Sequence, residues 1–353
     1  MISRNTIFLG KIPFPLRACL LAAVAVLALA VSGDGARAFG PTVVKLATVE
    51  HERSPVGGQL REFGRYLEAA AEGLARIKLF TGGSLGDERQ LLRRTAEGSL
   101  QVVAASAEGL AGPVPETELL GSAFLFANER HARRALDGPV RELLRPRLQG
   151  QGLEPGPWIE RGFRSWYTKN KSVHEPEDLY GLRLPAEKDS ARAEVLRRLG
   201  ALPVAQPTAG VSESLASGGL DGFEATPSEA LASSWYRGTG HLTLSRHSYR
   251  AGVIVYSGKW LRGLPEALRQ ALSSVPRQIR KRARERARSL DARSLEILRQ
   301  RGVEIHQIRA RQRRRLVRAT RKPLRAVARE MGREGQKLLR AVKVARQRPG
   351  DRR

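Results

Sequence analysis

At 353 residues the chain is long enough for two lobes of ordinary size, and a hydrophobic content of 41% excludes a disordered protein. Aromatics make up only 5%, so the cores are expected to consist mainly of Leu, Val and Ala. The net charge of +27 is unevenly spread: Arg277 to Arg353 holds 28 Lys/Arg against 7 Asp/Glu, so the basicity belongs to the C-terminal fifth and the remainder carries only +6.

The first 38 residues read as an export signal. Arg4, Lys11 and Arg17 give a positive start, Ala18 to Val31 is an apolar run of 14 residues, and Ala36-Arg37-Ala38 is a small-x-small cleavage site. A membrane span needs ~20 apolar residues, which disfavours the competing reading, an uncleaved anchor. The single cysteine, Cys19, lies near the start of the apolar run, whereas lipidation wants it at the far end. The mature chain would hold no cysteine, hence no disulfide, thiol nucleophile or Cys-ligated metal. A disulfide-free exported protein of this size points to a bacterial periplasm.

Val43 to Thr48 reads as a buried strand, turned by His51 to Pro55. Gly58 to Leu74 is a helix, with Leu60, Phe63, Leu67 and Ala70 at spacings of three and four, and Ala75 to Phe80 a second strand. Strand, helix, strand implies a right-handed crossover and an α/β sheet. In Gly82-Gly83-Ser84-Leu85-Gly86-Asp87, Asp87 can cap a helix over Glu88 to Glu97. No Gly-Lys-Ser/Thr follows, so this is no phosphate loop. Leu100 to Ser106 is a third buried strand. Helices are expected over Glu129 to Leu136 and onward to Leu148, punctuated by Gly138-Pro139. Leu153 to Phe163 is extended. Trp158, Trp166 and Tyr167 cluster near Arg164; aromatics beside an arginine line ligand clefts and also pack cores, and residue type alone does not separate the two.

Pro176 to Asp178 reads as a turn, Gly181 as a pivot and Leu182 to Leu184 as a short strand, followed by a helix from about Ser190 to Leu199. Leu202 to Val204 is a strand, Val211 to Ser217 a helix ending at Gly218-Gly219, and Ser228 to Trp235 helical. Tyr249 to Ser257 is a strongly apolar strand. Pro265 opens a helix at its favoured first position.

Val44-Lys45-Leu46-Ala47-Thr48, Gly82 to Glu88, Phe124-Leu125-Phe126, Gly162-Phe163-Arg164, Pro176 to Leu182, Leu199-Gly200-Ala201, Leu220-Asp221-Gly222 and Gly302-Val303-Glu304 occur in order. Together, over roughly Val43 to Val342, they resemble the substrate-binding subunits of tripartite ATP-independent periplasmic (TRAP) transporters. The resemblance implies an α/β protein with two lobes joined by crossing strands and a long helix. Such a protein is no enzyme: it closes on a small organic acid in a central cleft and hands it to a membrane permease. On this reading residues 39–160 form the first lobe with about 250–290 returning to it, 161–249 the second, 291–345 pack across both, and 346–353 form a basic tail.

The resemblance also implies an arginine, two strand residues beyond Arg183, that grips the ligand carboxylate with both guanidinium nitrogens. Here that position is Pro185, which offers neither charge nor donor. Losing one desolvated partner of such a pair costs on the order of 2–5 kcal/mol, roughly 30- to several-thousand-fold in affinity. The asparagine common after the Asp-Gly-x-Glu run is Ala225, while the other basic position, Arg164, is kept. Either another cation takes the anion, Arg164 with Arg183, Lys188 or Lys169, or the ligand is no simple carboxylate. Arg183 shares the face of Pro185 but sits ~7 Å along the strand. The expected ligand contacts are therefore Arg164, Arg183, Glu224, His51, Trp166 and Phe223.

Other chemistry is poorly supported. His51, His131, His174, His241, His247 and His306 form no His-Glu-x-x-His pair or other compact ligand set, so no metal or cofactor is expected. No Gly-x-Ser-x-Gly elbow is present. Asp221 and Glu224 read equally as a carboxylate pair and as parts of a turn. In the basic C-terminal region, Ile279, Ala283, Ala287, Leu290, Ser294 and Ile297 form one apolar helical stripe, and Leu316, Leu324, Val327, Met331, Leu338 and Val342 another. The dense runs Arg280 to Arg284 and Arg311 to Arg315 read as solvated surface or, alternatively, as a cationic module adhering to anionic lipid or polysaccharide, at ~1 kcal/mol per basic residue. The export signal argues against nucleic acid.

Overall fold

The computed structural model describes residues 41–346, leaving aside the side chains at 160, 275–278, 280, 281 and 284. The expected export signal at 1–38 and residues 347–353 of the tail lie outside the described residues. The fold is mixed α/β. Strand β1 (Thr42–Ala47) leads into helix α1 (Pro55–Ala70), β2 (Ala75–Phe80), α2 (Glu88–Glu97) and β3 (Val102–Ser106). Helices α3 (Glu129–Ala135) and α4 (Arg141–Gly150) are separated by a kink at Gly138 before Pro139. Then come β4 (Leu153–Thr168), β5 (Arg183–Ala186), α5 (Ala191–Arg198), β6 (Leu202–Ala205), α6 (Val211–Ala216), β7 (Gly222–Ala225), α7 (Pro227–Ala232) and β8 (His241–Ser257). Helix α8 (Gly258–Arg262), the long α9 (Glu266–Gln300), β9 (Glu304–Gln307), α10 (Ala310–Glu330) and α11 (Gly332–Val344) complete the described chain.

The main sheet runs β2-β1-β3-β8-β4-β7, with β9 added in parallel to the start of β8. β5 and β6 form a separate parallel pair. Strand alternation buries both faces of the sheet. Val44 and Leu46 of β1, and Val102 and Ala104 of β3, point into a core closed by α1 and the start of α9. Their neighbours Ala47, Val103 and Ala105 point into the opposite core, closed by α2, α3, α4, α10 and α11. β4 (16 residues) and β8 (17 residues) are long enough to leave these cores and enter two others, one around Tyr167, Phe223 and Leu242, the other around Trp166, Leu184 and Leu316. The 35-residue α9, ~52 Å long, likewise runs from Leu268 in one half to Leu298 in the other.

The antiparallel register of β4 on β8 is broken three times, once between Pro155 and Trp158 and twice further along β4. Arg161 and Gly162 stand against Arg250 alone, and Ser165 stands against the four residues Leu244 to His247. Such bulges re-aim side chains, and Gly162 (φ +86°) and Arg246 (φ +45°) absorb the distortion. The bonds Arg161–Glu50, Arg164–Glu108 and Arg250–Glu229 cluster beside these bulges.

The Gly181 to Gly200 spacing has a local cause. Both glycines have positive φ (+74° and +86°), and Gly181 N–H donates to the Gly200 carbonyl at 2.8 Å. This bond and Leu202 N–H to Leu182 O (2.8 Å) set β5 beside β6. Of the two C-terminal stripes, Ile279, Ala283, Ser294, Leu316, Val327, Leu338 and Val342 are buried. Ile297 is exposed and Leu298 is buried instead, because four residues, not three, return to the face of Ser294 at that point. Several arginines of the basic region bond within the chain: Arg315 pairs with Glu175 and Glu177, Arg288 with Glu129, and Arg313 donates to the Ser245 carbonyl at 2.6 Å.

Gly200→Ala places a Cβ 2.7 Å from the ring of Tyr180. Tyr180 is exposed and can swing away, so the cost left is the left-handed backbone, about 1–2 kcal/mol. Urea unfolding is expected to show that loss for Gly200→Ala and none for Tyr180→Ala.

Candidate ligand-binding site

Glu224 lies on β7 directly opposite Trp166 of β4, and period-two alternation turns both side chains to the same side of the sheet. The Glu224 carboxylate is almost wholly buried and has three side-chain donors. Oε1 accepts from Trp166 Nε1 at 3.2 Å and from His247 Nε2 at 3.0 Å, and Oε2 accepts from Arg192 Nη1 at 2.9 Å. The bulge in β8 brings His247 here. Its ring stacks on Trp166 (centroids 4.0 Å, 11° apart), and Ser245 Oγ lies 2.6 Å from Nδ1. Phe124, held at φ +55°, closes the cluster edge-on to Trp166, with the Arg313 guanidinium over its ring at 5.2 Å.

Burial works against the charge on Glu224, but the bonded His247 together with Arg192 and Arg164 more than offsets it, so the carboxyl is held well below its ordinary value. Burial pushes the His247 imidazole down from 6.5, and Glu224 opposes this only in part. The carboxylate can only accept, so Nε2–H donates to Glu224, and the Ser245 hydroxyl lies against Nδ1.

Arg192 carries the second half of the arrangement. It is the second residue of α5, whose first turn is set by Ser190 Oγ accepting from Ala193 N–H at 3.1 Å. From there its guanidinium reaches back along the chain: Nη2 donates to the Pro185 carbonyl at 2.8 Å while Nη1 holds Glu224. A guanidinium therefore stands over Pro185 although the strand supplies none. Glu108, Glu118, Gly121, Arg164, Glu187, Ser190 and Arg192 line a cavity of about 50 Å³. Arg164 Nη2 donates to Glu108 at 3.1 Å, whereas its buried Nη1 has no partner among the described residues. Burial raises the Glu108 carboxyl, but Arg164, Arg250 and Arg161 pull it down to about 2. Glu118 is raised, first by burial and then by Glu187 and Glu108, although it accepts from Ala191 N–H at 2.7 Å. Two links thus cross the cavity, Glu118 to Ala191 and Arg164 to Glu108. A volume of 50 Å³ is far below the ~300–1,000 Å³ of a small-molecule pocket, so the cavity is too small for an organic ligand as it stands.

Of the residues expected from sequence, Arg164, Glu224 and Trp166 come together here, Arg164 at the cavity wall and the other two behind it. Arg183 does not join them: its Nε and Nη2 bond Asp221 at 2.8 and 2.7 Å, and it is 42% exposed. Asp221 also takes the Arg183 backbone N–H, so it is not paired with Glu224. Phe223 faces the opposite side of the sheet from Glu224 and stacks on Tyr167 at 4.6 Å in the core. His51 is exposed in the loop after β1, where its Nδ1 accepts from Arg53 N–H. Arg192, His247, Phe124 and Glu118 were missed. Only Phe124 stood in a quoted motif, and the others depend on helix phase or the bulge.

Long paired strands crossing two sets of cores, and a small polar cavity with one unpartnered guanidinium nitrogen at their crossing, make up a two-lobed α/β protein. Residues 46–330 match the family model for bacterial extracellular solute-binding proteins, family 7, and the chain belongs to that family, the solute receptors of TRAP transporters, which are not enzymes. Among relatives, a solute-binding protein of Verminephrobacter eiseniae is 28% identical over 270 residues, 76% of this chain and 81% of its own length. The 2,3-diketo-L-gulonate-binding periplasmic protein YiaO of Escherichia coli is 25% identical over 69% of this chain and 75% of its own. Among solved structures, the TRAP periplasmic solute-binding protein of Marinobacter aquaeolei in an apo open form superposes with a TM-score of 0.79 at 27% identity, covering 85% of this chain and 99% of that one. The sugar acid binding protein of Advenella mimigardefordensis in complex with galactonate gives 0.77 at 24%, covering 87% and 99%. Among the described residues no helix is long and apolar enough to cross a membrane.

The unfolded chain takes up a proton at His247 near pH 6.5, whereas the buried folded ring resists it. Its contribution to stability is therefore present above pH 6.5 and lost as pH falls below it, with a slope of at most ~1.4 kcal/mol per pH unit. Glu224, with its lowered folded value, adds a further loss below about 4.5. Burial lowers His131 and His306 as well, so the difference between variants isolates His247. Urea unfolding from pH 7 to 5 is expected to show a shallower loss for His247→Gln than for the unchanged protein.

Proposed function

We propose that this protein is a periplasmic receptor for a polyhydroxylated monocarboxylate of the sugar-acid class, delivered to a TRAP permease after export by the signal at 1–38. The observation that carries the reading is Arg192, whose guanidinium is pinned over Pro185 between Glu224 and the Pro185 carbonyl. The carboxylate binds between Arg192 and Arg164, and the buried Nη1 of Arg164 gains the acceptor it lacks. Glu224, His247 and Trp166 act behind Arg192 by fixing its position. Arg183 and Phe223 take no part, since each is engaged elsewhere.

The cavity wall chooses between organic acids. Glu108, Glu118 and Glu187 face two arginines, so one carboxylate is accommodated and a second meets carboxylates. Those acceptors suit hydroxyl donors, which a sugar acid supplies and a plain C4-dicarboxylate does not. The printed ligands of relatives and structural neighbours point the same way: diketogulonate for YiaO, and galacturonate, glucuronate and galactonate for solved TRAP receptors. The dicarboxylate-binding relative of Rhodobacter capsulatus, 23% identical, is the contrasting case.

Calorimetric titration with galacturonate, glucuronate, galactonate and 2,3-diketogulonate, with succinate for comparison, tests this. At least one sugar acid is expected to bind saturably and more tightly than succinate. Arg192→Ala and Arg164→Ala should each weaken it ~30- to several-thousand-fold, and Arg183→Ala should leave Kd unchanged. The combined change Pro185→Arg with Arg192→Ala is expected to recover part of the loss. Tighter binding of succinate, or full affinity in Arg192→Ala, overturns the reading.

A further inference from the structure

Three of the six histidines gather outside the cavity lining, at the edge where β9 joins β8. The parallel register sets His241 beside Glu304 and Thr243 beside His306. Two residues apart on one strand, Glu304 and His306 project to the same side. His241 Nδ1 and His306 Nε2 face each other at 3.1 Å, and Glu304 Oε2 lies 3.4 Å from the first and 3.6 Å from the second. His174 packs edge-on against His306 (5.8 Å, 88°), and its buried Nδ1 has no partner among the described residues.

We infer that His241, His306 and Glu304 form a binding site for a divalent transition cation of the Zn²⁺ class, separate from the ligand cavity. The argument is geometric. A tetrahedral ion bonded to nitrogen and carboxylate oxygen at ~2.0–2.1 Å separates its ligand atoms by about 3.3–3.4 Å. The three separations here, 3.1, 3.4 and 3.6 Å, bracket that edge without any side chain moving. The donors are two imidazoles and one carboxylate, a set that selects Zn²⁺ and its neighbours over Mg²⁺ or Ca²⁺, which prefer all-oxygen shells. Glu304 is 68% exposed, which leaves the fourth position open to water. Bound there, the ion ties β9, the short strand that follows the long α9, to the first residue of β8.

The test uses tag-free, chelator-treated full-length protein, titrated with Zn²⁺ by calorimetry and with Co²⁺ by visible absorption. One Zn²⁺ per chain and a tetrahedral Co²⁺ spectrum are expected. His241→Ala and His306→Ala should each weaken binding by more than the ~10–100-fold typical of outer-shell changes. Glu304→Gln, at an exposed position, keeps the fold and should weaken binding as well. Sugar-acid affinity should be the same with and without Zn²⁺, which separates this result from the fate of the cavity assignment. No saturable binding at one equivalent, an octahedral Co²⁺ spectrum, or undiminished binding in the His306→Ala and Glu304→Gln proteins overturns the inference.

Discussion

A carboxylate removed from water inside a protein must be given donors, or it takes up a proton instead. Glu224 meets this demand with an indole N–H, an imidazole N–H and a guanidinium drawn from three different elements. Each donor is fixed in turn. Trp166 and His247 stack on each other, Ser245 sets the imidazole tautomer, and the Pro185 carbonyl takes the other arm of Arg192. The guanidinium facing the cavity is thus held in one orientation by the protein itself. Remove the carboxylate and the arginine loses its anchor; remove the arginine and a buried charge loses one of its three donors.

The long strands make this convergence possible. β4 places Arg161, Arg164 and Trp166 within six residues, but an unbroken ladder would turn 164 and 166 to one face and hold every β8 partner in strict register. The two bulges further along β4 break that regularity where the strands pass between the cores. One lets Arg161 and Arg164 reach Glu50 and Glu108 on loops of the first half, and the other turns His247 toward Glu224. The pairs Arg161–Glu50 and Arg164–Glu108 tie the middle of β4 to the loops after β1 and β3, with both arginines buried.

Much of the fold was legible because burial on both sheet faces leaves unambiguous apolar runs, such as Val102 to Ser106, and because glycines at positive φ mark positions that tolerate nothing else without strain, as Gly181 and Gly200 do. The site was legible only in part. Arg164 and Glu224 stand in recognisable strings. Phe223 and Glu224 cannot both face a cleft, since adjacent strand residues face opposite ways, and the register on Tyr167 and Trp166 decides between them. Arg192 was hidden because nothing in a sequence says that a side chain on the next helix will reach back seven residues to a strand carbonyl. His247 was hidden by a bulge, and the pairing of His241 with His306 by a sequence separation of 65 residues and by the short β9.

The arginine-rich composition bears on the same point. With 51 arginines in the chain, a cation lost at one position has many neighbours able to assume its place, and guanidinium length and planarity let the replacement come from another element. The C-terminal basic region contributes in kind. Arg313 on α10 bonds the carbonyl of Ser245, whose hydroxyl faces His247, and lies over Phe124, which abuts Trp166. Arg315 and Arg288 are tied to acidic side chains of distant segments. Charge that looks from sequence like an adhesive surface is therefore partly structural: it clamps the C-terminal helix onto the back of the site. A cation held between a carbonyl and an aromatic face adds little to a surface potential, whereas it fixes the loop that carries His247. Guanidinium groups on two helices thus converge on this region, Arg192 on Glu224 and the Pro185 carbonyl and Arg313 on the Ser245 carbonyl.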